Sequence, residues 1–279
     1  MNNLIKTFSV VLLLVLTFSS CVKKSLEADD DTESTTENNT ATAIGNDLAN
    51  ISDEAGRTKS ISSFKTTEET MVLTSCATLK FDTLVSGNQD SITVNFGASN
   101  CNGNDGNNRR GSVLIIYTGK YKDSLTTITI TPLNYFVNDN GVSGSKTIKN
   151  LGHNAQGHLV YDITENIVIN KTNGKTITMN AKRQREWLTG ESTLIWADDK
   201  YSITGTSSGS NSNGRSYVST ITKPLIRDMG ILCRKNFISG TIQHTPDKKP
   251  TRTIDYGNGS CDNKATVTIN GKVYEVTLP

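Results

Sequence analysis

From residue 112 to residue 225 the chain alternates apolar with polar positions almost without pause. The runs "SVLIIYTGKY", "LTTITITPLNYFV", "GHLVYDITENIVIN", "KTITMNAKRQREW", "KYSITGTSSG" and "RSYVSTITKPL" are rich in Thr, Ile, Val and Tyr. A period of two puts alternate side chains on opposite faces of a strand, so each run predicts a strand with one buried and one wet face. Clusters of Asn, Gly, Ser and Lys divide the runs. The pairs Asn140-Gly141, Asn173-Gly174 and Asn213-Gly214 predict tight hairpins, because both residue types tolerate the positive φ of a type I′ turn. Hairpin following hairpin gives an all-β fold: a long antiparallel meander, twisted into a half-closed sheet or barrel.

The helical period surfaces once. In "TATAIGNDLANISDEAG" the residues Ile44, Leu48, Ile51 and Ala55 recur at helical spacing and predict a short amphipathic helix over 40–56. Thr40 or Thr42 could cap its start and Gly56 its end. Gly45 weakens it. The helix is expected to dock on the apolar face of the sheet.

Two stretches echo each other. "VNFGASNCNGNDGNNRRGSVLI" and "IDYGNGSCDNKATVTI" place an aromatic-Gly pair before a cysteine, with Asn95, Phe96, Gly97 and Cys101 matching Asp255, Tyr256, Gly257 and Cys261. Cys76 and Cys233 precede them at similar distance. The spacing predicts an internal duplication, with units at about 72–122 and 229–278 inside an all-β domain of residues 71–279. Four cysteines allow three pairings. Copying favours a bridge within each unit, Cys76–Cys101 and Cys233–Cys261, and leaves cross-pairing and free thiols as alternatives.

The first residues carry Lys6, the apolar core "FSVVLLLVLTF" and the small residues "SS" before Cys21. This arrangement resembles the lipobox of a bacterial lipoprotein, which implies a signal peptide over 1–20 and acylation of Cys21. The segment 21–39 is charged and lacks aromatics, so it reads as a flexible acidic tether. Residues 57–70 read as a linker. The acid of the tether offsets a basic domain: from residue 71 onward 23 Lys+Arg stand against 16 Asp+Glu, 23 − 16 = +7. An anionic envelope component or glycan is one partner such a surface would favour. No nucleic-acid partner is expected, and the oligomeric state is not legible.

Chemistry is sparse. The loop "NCNGNDGNNRRG" offers Asn102, Asn104 and Asp105 but lacks the closing carboxylate of an EF-hand, so it reads as a hairpin tip with no metal. His153, His158 and His244 lack ligand spacing, no nucleophile or phosphate-loop motif occurs, and no cofactor is implied. The block "KRQREWLTGESTLIWADDKY" is densest in functional side chains. Arg183, Arg185 and Trp187 share one face of a strand, with Trp196 and Tyr201 close behind. On the wet face they would form a binding surface able to stack on and hydrogen-bond a glycan. Glu186, Glu191, Asp198 and Asp199 could serve a hydrolase, but nothing singles out a pair.

The blocks "CATLKFDTL", "VNFGASNCNGNDGNNRRGSVLIIYTGKY", "REWLTGEST" and "PTRTIDYGNGSCDNKATVTINGKVYEVTL" resemble a family of uncharacterised Bacteroidota lipoproteins. The resemblance implies an outer-membrane lipoprotein at the cell surface and carries no activity. The sequence thus predicts a membrane-anchored, non-catalytic binding or structural module. The alternatives are a carrier holding an apolar ligand in a curved sheet under the helix, and a hydrolase using scattered carboxylates.

Overall fold

The structure, a computed structural model, describes residues 29, 32–58, 73, 75–84, 89–193, 195–234 and 236–278. The signal peptide, Cys21 and most of the linker lie outside the described residues. Helix α1 (Glu33–Thr58) is followed by thirteen strands: β1 (Thr78–Leu84), β2 (Gln89–Asn102), β3 (Asn108–Tyr117), β4 (Thr127–Val137), β5 (Asn140–His153), β6 (Leu159–Asn170), β7 (Thr176–Thr189), β8 (Lys200–Ser210), β9 (Ser216–Asp228), β10 (Ser239–Pro246), β11 (Arg252–Asn258), β12 (Lys264–Ile269) and β13 (Lys272–Thr277). All thirteen lie in one sheet in chain order. Every neighbouring pair is antiparallel, and β1 does not meet β13, so the meander stays open. The all-β expectation holds.

The turns correct one detail. Val137 pairs with Asn140 across the β4–β5 turn, and the two central residues are Asn138 (φ 48°) and Asp139 (φ 63°), so the I′ turn sits two residues before Asn140-Gly141. In the β6–β7 and β8–β9 turns only Gly174 (φ 78°) and Gly214 (φ 75°) adopt positive φ. There the Gly amide closes a turn on the carbonyl of Lys171 or Asn211, and Asn213 keeps an ordinary backbone. A second two-residue turn with both φ positive is Asn270-Gly271, between the paired residues Ile269 and Lys272.

The helix is longer than the apolar pattern predicts. It starts at Glu33, inside the segment expected to be a tether, and runs to Thr58. Thr32 supplies the first carbonyl, accepting from Thr36 N at 2.9 Å. Thr40 and Thr42 lie mid-helix and cap nothing; Thr40 Oγ1 donates to the Thr36 carbonyl. Ala41, Ile44, Leu48, Ile51 and Ala55 are buried in one cluster with β2 to β8, and a second cluster joins β8 to β13 around Ile254, Tyr256 and Val267.

The polar side of α1 is buried too. Ser34, Thr35, Glu37, Asn38 and Asn39 are each at most 6 % exposed, which is why a hydrophobic stripe could not reveal them. Asp29, still further upstream, is held by Arg252 Nη2 at 2.7 Å and Lys249 Nζ at 3.6 Å. Asp29 and Glu37 of the segment expected to be a tether are therefore packed on the sheet. Docking on the sheet is as expected: Ala41, Ile44, Leu48, Ile51 and Ala55 are packed against its buried face.

Both disulfides join cysteines of the same unit, Cys76–Cys101 and Cys233–Cys261. The two units share local geometry. Gly97 and Gly257 have φ of 85° and 89°, and each amide donates to the side chain two residues earlier, Asn95 or Asp255, at 2.8 and 2.9 Å. Phe96 and Tyr256 are both buried, as are Val113, Ile115, Val267 and Ile269.

In a meander the loops after odd-numbered strands lie on one rim. Leu125, Ile195, Ile231 and Leu232 stand exposed on three of them. The other rim carries Asn, Gly and Lys turns, and Asp29 meets the sheet there.

Candidate functional site

Most candidate residues from the sequence face inward. On β7 the expected alternation holds: Lys182 and Gln184 are exposed, while Arg185 and Trp187 are buried. The face is the reverse of the expected wet one. Arg183 Nη1 lies 3.4 Å from Glu165 Oε2, and its Nη2 donates to Thr42 Oγ1 at 3.1 Å. Arg185 donates to the Tyr121 hydroxyl and lies over the rings of Tyr161 and Tyr201 at 4.7 and 4.8 Å. Trp187 Nε1 donates to Asp199 Oδ1, and Tyr201 donates to Asp199 Oδ2 at 3.0 Å. Trp196 is buried with Arg234 above its ring. None of these five side chains offers an open binding surface. Arginines are tolerated inside because each finds a carboxylate, a hydroxyl or an aromatic face.

The carboxylates considered for hydrolysis are each engaged separately. Glu186 accepts from Asn154 Nδ2 and lies 2.7 Å from His158 Nδ1, which together hold it below the usual carboxylate range. Glu191 lies 2.9 Å from His153 Nε2. Asp198 accepts from Thr193 Oγ1 at 2.8 Å, and Asp199 serves Trp187 and Tyr201. Among the described residues no group of three His, Cys, Asp or Glu could hold a metal ion.

Helix α1 and the sheet interior are joined by charge. Glu165 and Lys146 pair at 2.8 Å, and Lys146 also donates to the Gly45 carbonyl at 2.9 Å. Burial opposes ionisation of both. The neighbouring Lys146 and Arg183 nevertheless keep the Glu165 carboxyl below its ordinary range, whereas burial prevails at Lys146 and lowers its ammonium. Lys171 Nζ and the Ser212 amide both donate to Glu37, at 2.7 and 2.8 Å. Burial presses Arg227 down to about 10, helped by the nearby Arg185 charge, and its Nη2 donates to Asn50 Oδ1 at 3.0 Å.

One side of the helix stays open. A cleft of about 420 Å³ runs along Ala43, Ile44, Asn46, Asp47 and Asn50. Its facing wall comes from the β2–β3 turn, with Asn104, Asp105 and Asn107, and from the β4–β5 hairpin, with Val137, Asn138 and Asn140. Ile231, Leu232 and Arg234 of the β9–β10 loop complete it. Asp47 and Asp105 are turned to Arg109, which is fully buried. Nε of Arg109 donates to Asp47 at 3.3 Å, Nη1 donates to Asp105 at 2.9 Å, and Tyr135 adds a 2.7 Å bond to Asp47. Burial disfavours its charge, but the two carboxylates outweigh that and raise Arg109 above its usual range. Asp105, on the loop read from the sequence as a hairpin tip, is thus an ion-pair partner. No sequence signal marks this cleft, because it is made by a long-range approach of helix, two turns and a loop.

No protein family, curated protein or solved structure matches the chain. Among the described residues no helix is long and apolar enough to cross a membrane.

Proposed function

We propose that the chain is a membrane-anchored lipoprotein of the cell envelope, held at the outer membrane surface by acyl groups on Cys21, and that it works as a non-catalytic binding module. Its ligand occupies the cleft beside α1. The observation that carries this reading is the cleft itself. Its volume falls in the range of about 300–1,000 Å³ usual for small-molecule sites, and it combines apolar floor and lip with several polar groups.

Arg183, Arg185, Trp187, Trp196 and Tyr201 are buried and offer no open surface, which supports the cleft over those residues as the binding site. A carrier of an apolar ligand would need the space that α1 fills. An acyl chain there would lie against Arg109, Lys146, Glu165 and Arg183, and stripping the polar partners from such groups costs several kcal/mol each. That cost favours the binding module.

The test uses the full mature protein and a panel of envelope fractions. Ala43→Trp fills the cleft without removing a hydrogen bond, and retention on the binding fraction is expected to fall at least tenfold with unchanged thermal unfolding. Undiminished retention would remove the cleft from the function. The anchor is read separately: intact mass of the mature protein should show acyl chains on Cys21, and Cys21→Ser should leave the membrane fraction.

A further inference from the structure

We propose that the cleft beside α1 is a saccharide site and that it selects neutral, hydroxyl-rich sugars over anionic ones. The proposal rests on the binding-module reading and names the ligand class of that cleft.

Charge comes first. Asp47, Asp105 and Arg234 line the cleft, Arg109 pairs with the two carboxylates from behind, and the four charges sum to zero. Arg109 lies fully buried behind its two carboxylates and presents nothing to an incoming anion. A phosphate or uronate entering here would meet carboxylate oxygens on the helix and turn, with one guanidinium at the rim.

Carboxamides supply the polar contacts instead. Asn46 and Asn50 are one helical turn apart, so both project from the same face of α1 into the cleft. Asn46 is half-buried, and its amide makes no hydrogen bond among the described residues. Asn50 accepts from Arg227 through Oδ1 and keeps its two N–H donors. Across the cleft Asn140 spends Nδ2 on the Val137 and Asn138 carbonyls and keeps Oδ1 as an acceptor. Donors and acceptors are therefore available side by side, as a vicinal diol needs: each hydroxyl both gives and takes a hydrogen bond.

The lip is aliphatic. Ile231 and Leu232 are 60 % and 86 % exposed, and the next residue is tied to Cys261 by a disulfide. Such a lip offers apolar surface to the C–H face of a pyranose. Tethering it lowers the ordering cost of closing on a ligand.

The experiment is ligand-observed NMR followed by calorimetry on the full mature protein. One set of probes is neutral (gluco-, manno- and galacto-oligosaccharides and chitobiose). The other is anionic (oligogalacturonate, a sulfated oligosaccharide and inorganic phosphate). A neutral sugar is expected to bind at least tenfold more tightly than any anionic probe, with affinity unchanged between 50 and 500 mM salt, an expectation that follows from the absence of net charge. Asn46→Leu and Leu232→Asp should each weaken it by tenfold or more while the unfolding midpoint stays put. Preference for the anionic probes, a steep salt dependence, binding indifferent to both substitutions, or no sugar bound at all would overturn the proposal. Loss of envelope-fraction retention in Ala43→Trp would still stand in the last case, which separates failure of the sugar class from failure of the module.

Discussion

His244 has no exposed surface and sits between the hydroxyls of Ser34 and Ser219, at 2.9 and 2.7 Å. Burial, and secondarily the Arg252 charge, pushes its imidazole down to about 4. The unfolded chain therefore takes up this proton first as pH falls. The stabilising difference is intact above about 6.5 and is lost progressively down to about 4, amounting to about 3 kcal/mol. Urea midpoints between pH 7 and 4 should fall more steeply for the natural protein than for His244→Gln; equal slopes would refute the assignment. Gly45 is held to glycine by a neighbouring carboxylate. A Cβ there would stand 2.4 Å from Glu165 Oε1, and that carboxylate is locked by Lys146 and Arg183. Alanine should gain about 1 kcal/mol in helix propensity, yet Gly45→Ala is expected to lose at least about 2 kcal/mol in denaturant unfolding. In the sequence Gly45 reads only as a weak point, because the carboxylate that demands it lies 120 positions away.

At the scale of elements, strand order and strand period were legible because they rest on local alternation, while the copied pattern favoured the cystine pairs without deciding among three pairings. The orientation of β7 was legible as well. Ile177, Met179 and Ala181 share parity with Arg183, Arg185 and Trp187, so the arginines had to point where the apolar residues point. Their charge suggested the wet face; continuity of the strand decides otherwise. The first turns of α1 were hidden by the opposite problem. Their polar side chains look like tether until the partners Lys171, His244 and Tyr256 are known. Asp47→Asn leaves Arg109 and Tyr135 short of a carboxylate in a buried cluster and should cost about 3 kcal/mol, measured by chemical denaturation. Replacing Cys233 and Cys261 together by serine opens a loop closed over 28 positions, with an expected loss of about 3 kcal/mol on the loop-entropy account, read from the same transition.

Across the whole molecule the charges divide. The basic excess of the domain is met in part by acids of its own N-terminal segment: Asp29 on Arg252 and Lys249, Glu37 on Lys171, Asp47 on Arg109. The open sheet does not close on itself, and its inner face carries charged groups whose partners lie on α1. Without the helix those groups and the aliphatic cluster around Leu48 and Ile51 lose their cover together. Helix and sheet are therefore one cooperative unit, and the cleft exists only while α1 is seated. The direct measurement is urea unfolding of residues 73–279, followed by near-ultraviolet circular dichroism, with and without a synthetic peptide of residues 29–58. The sheet alone should give neither a tertiary signal nor a cooperative transition, and the peptide should restore both. A sheet that unfolds cooperatively by itself, at the midpoint of the full chain, would contradict the account.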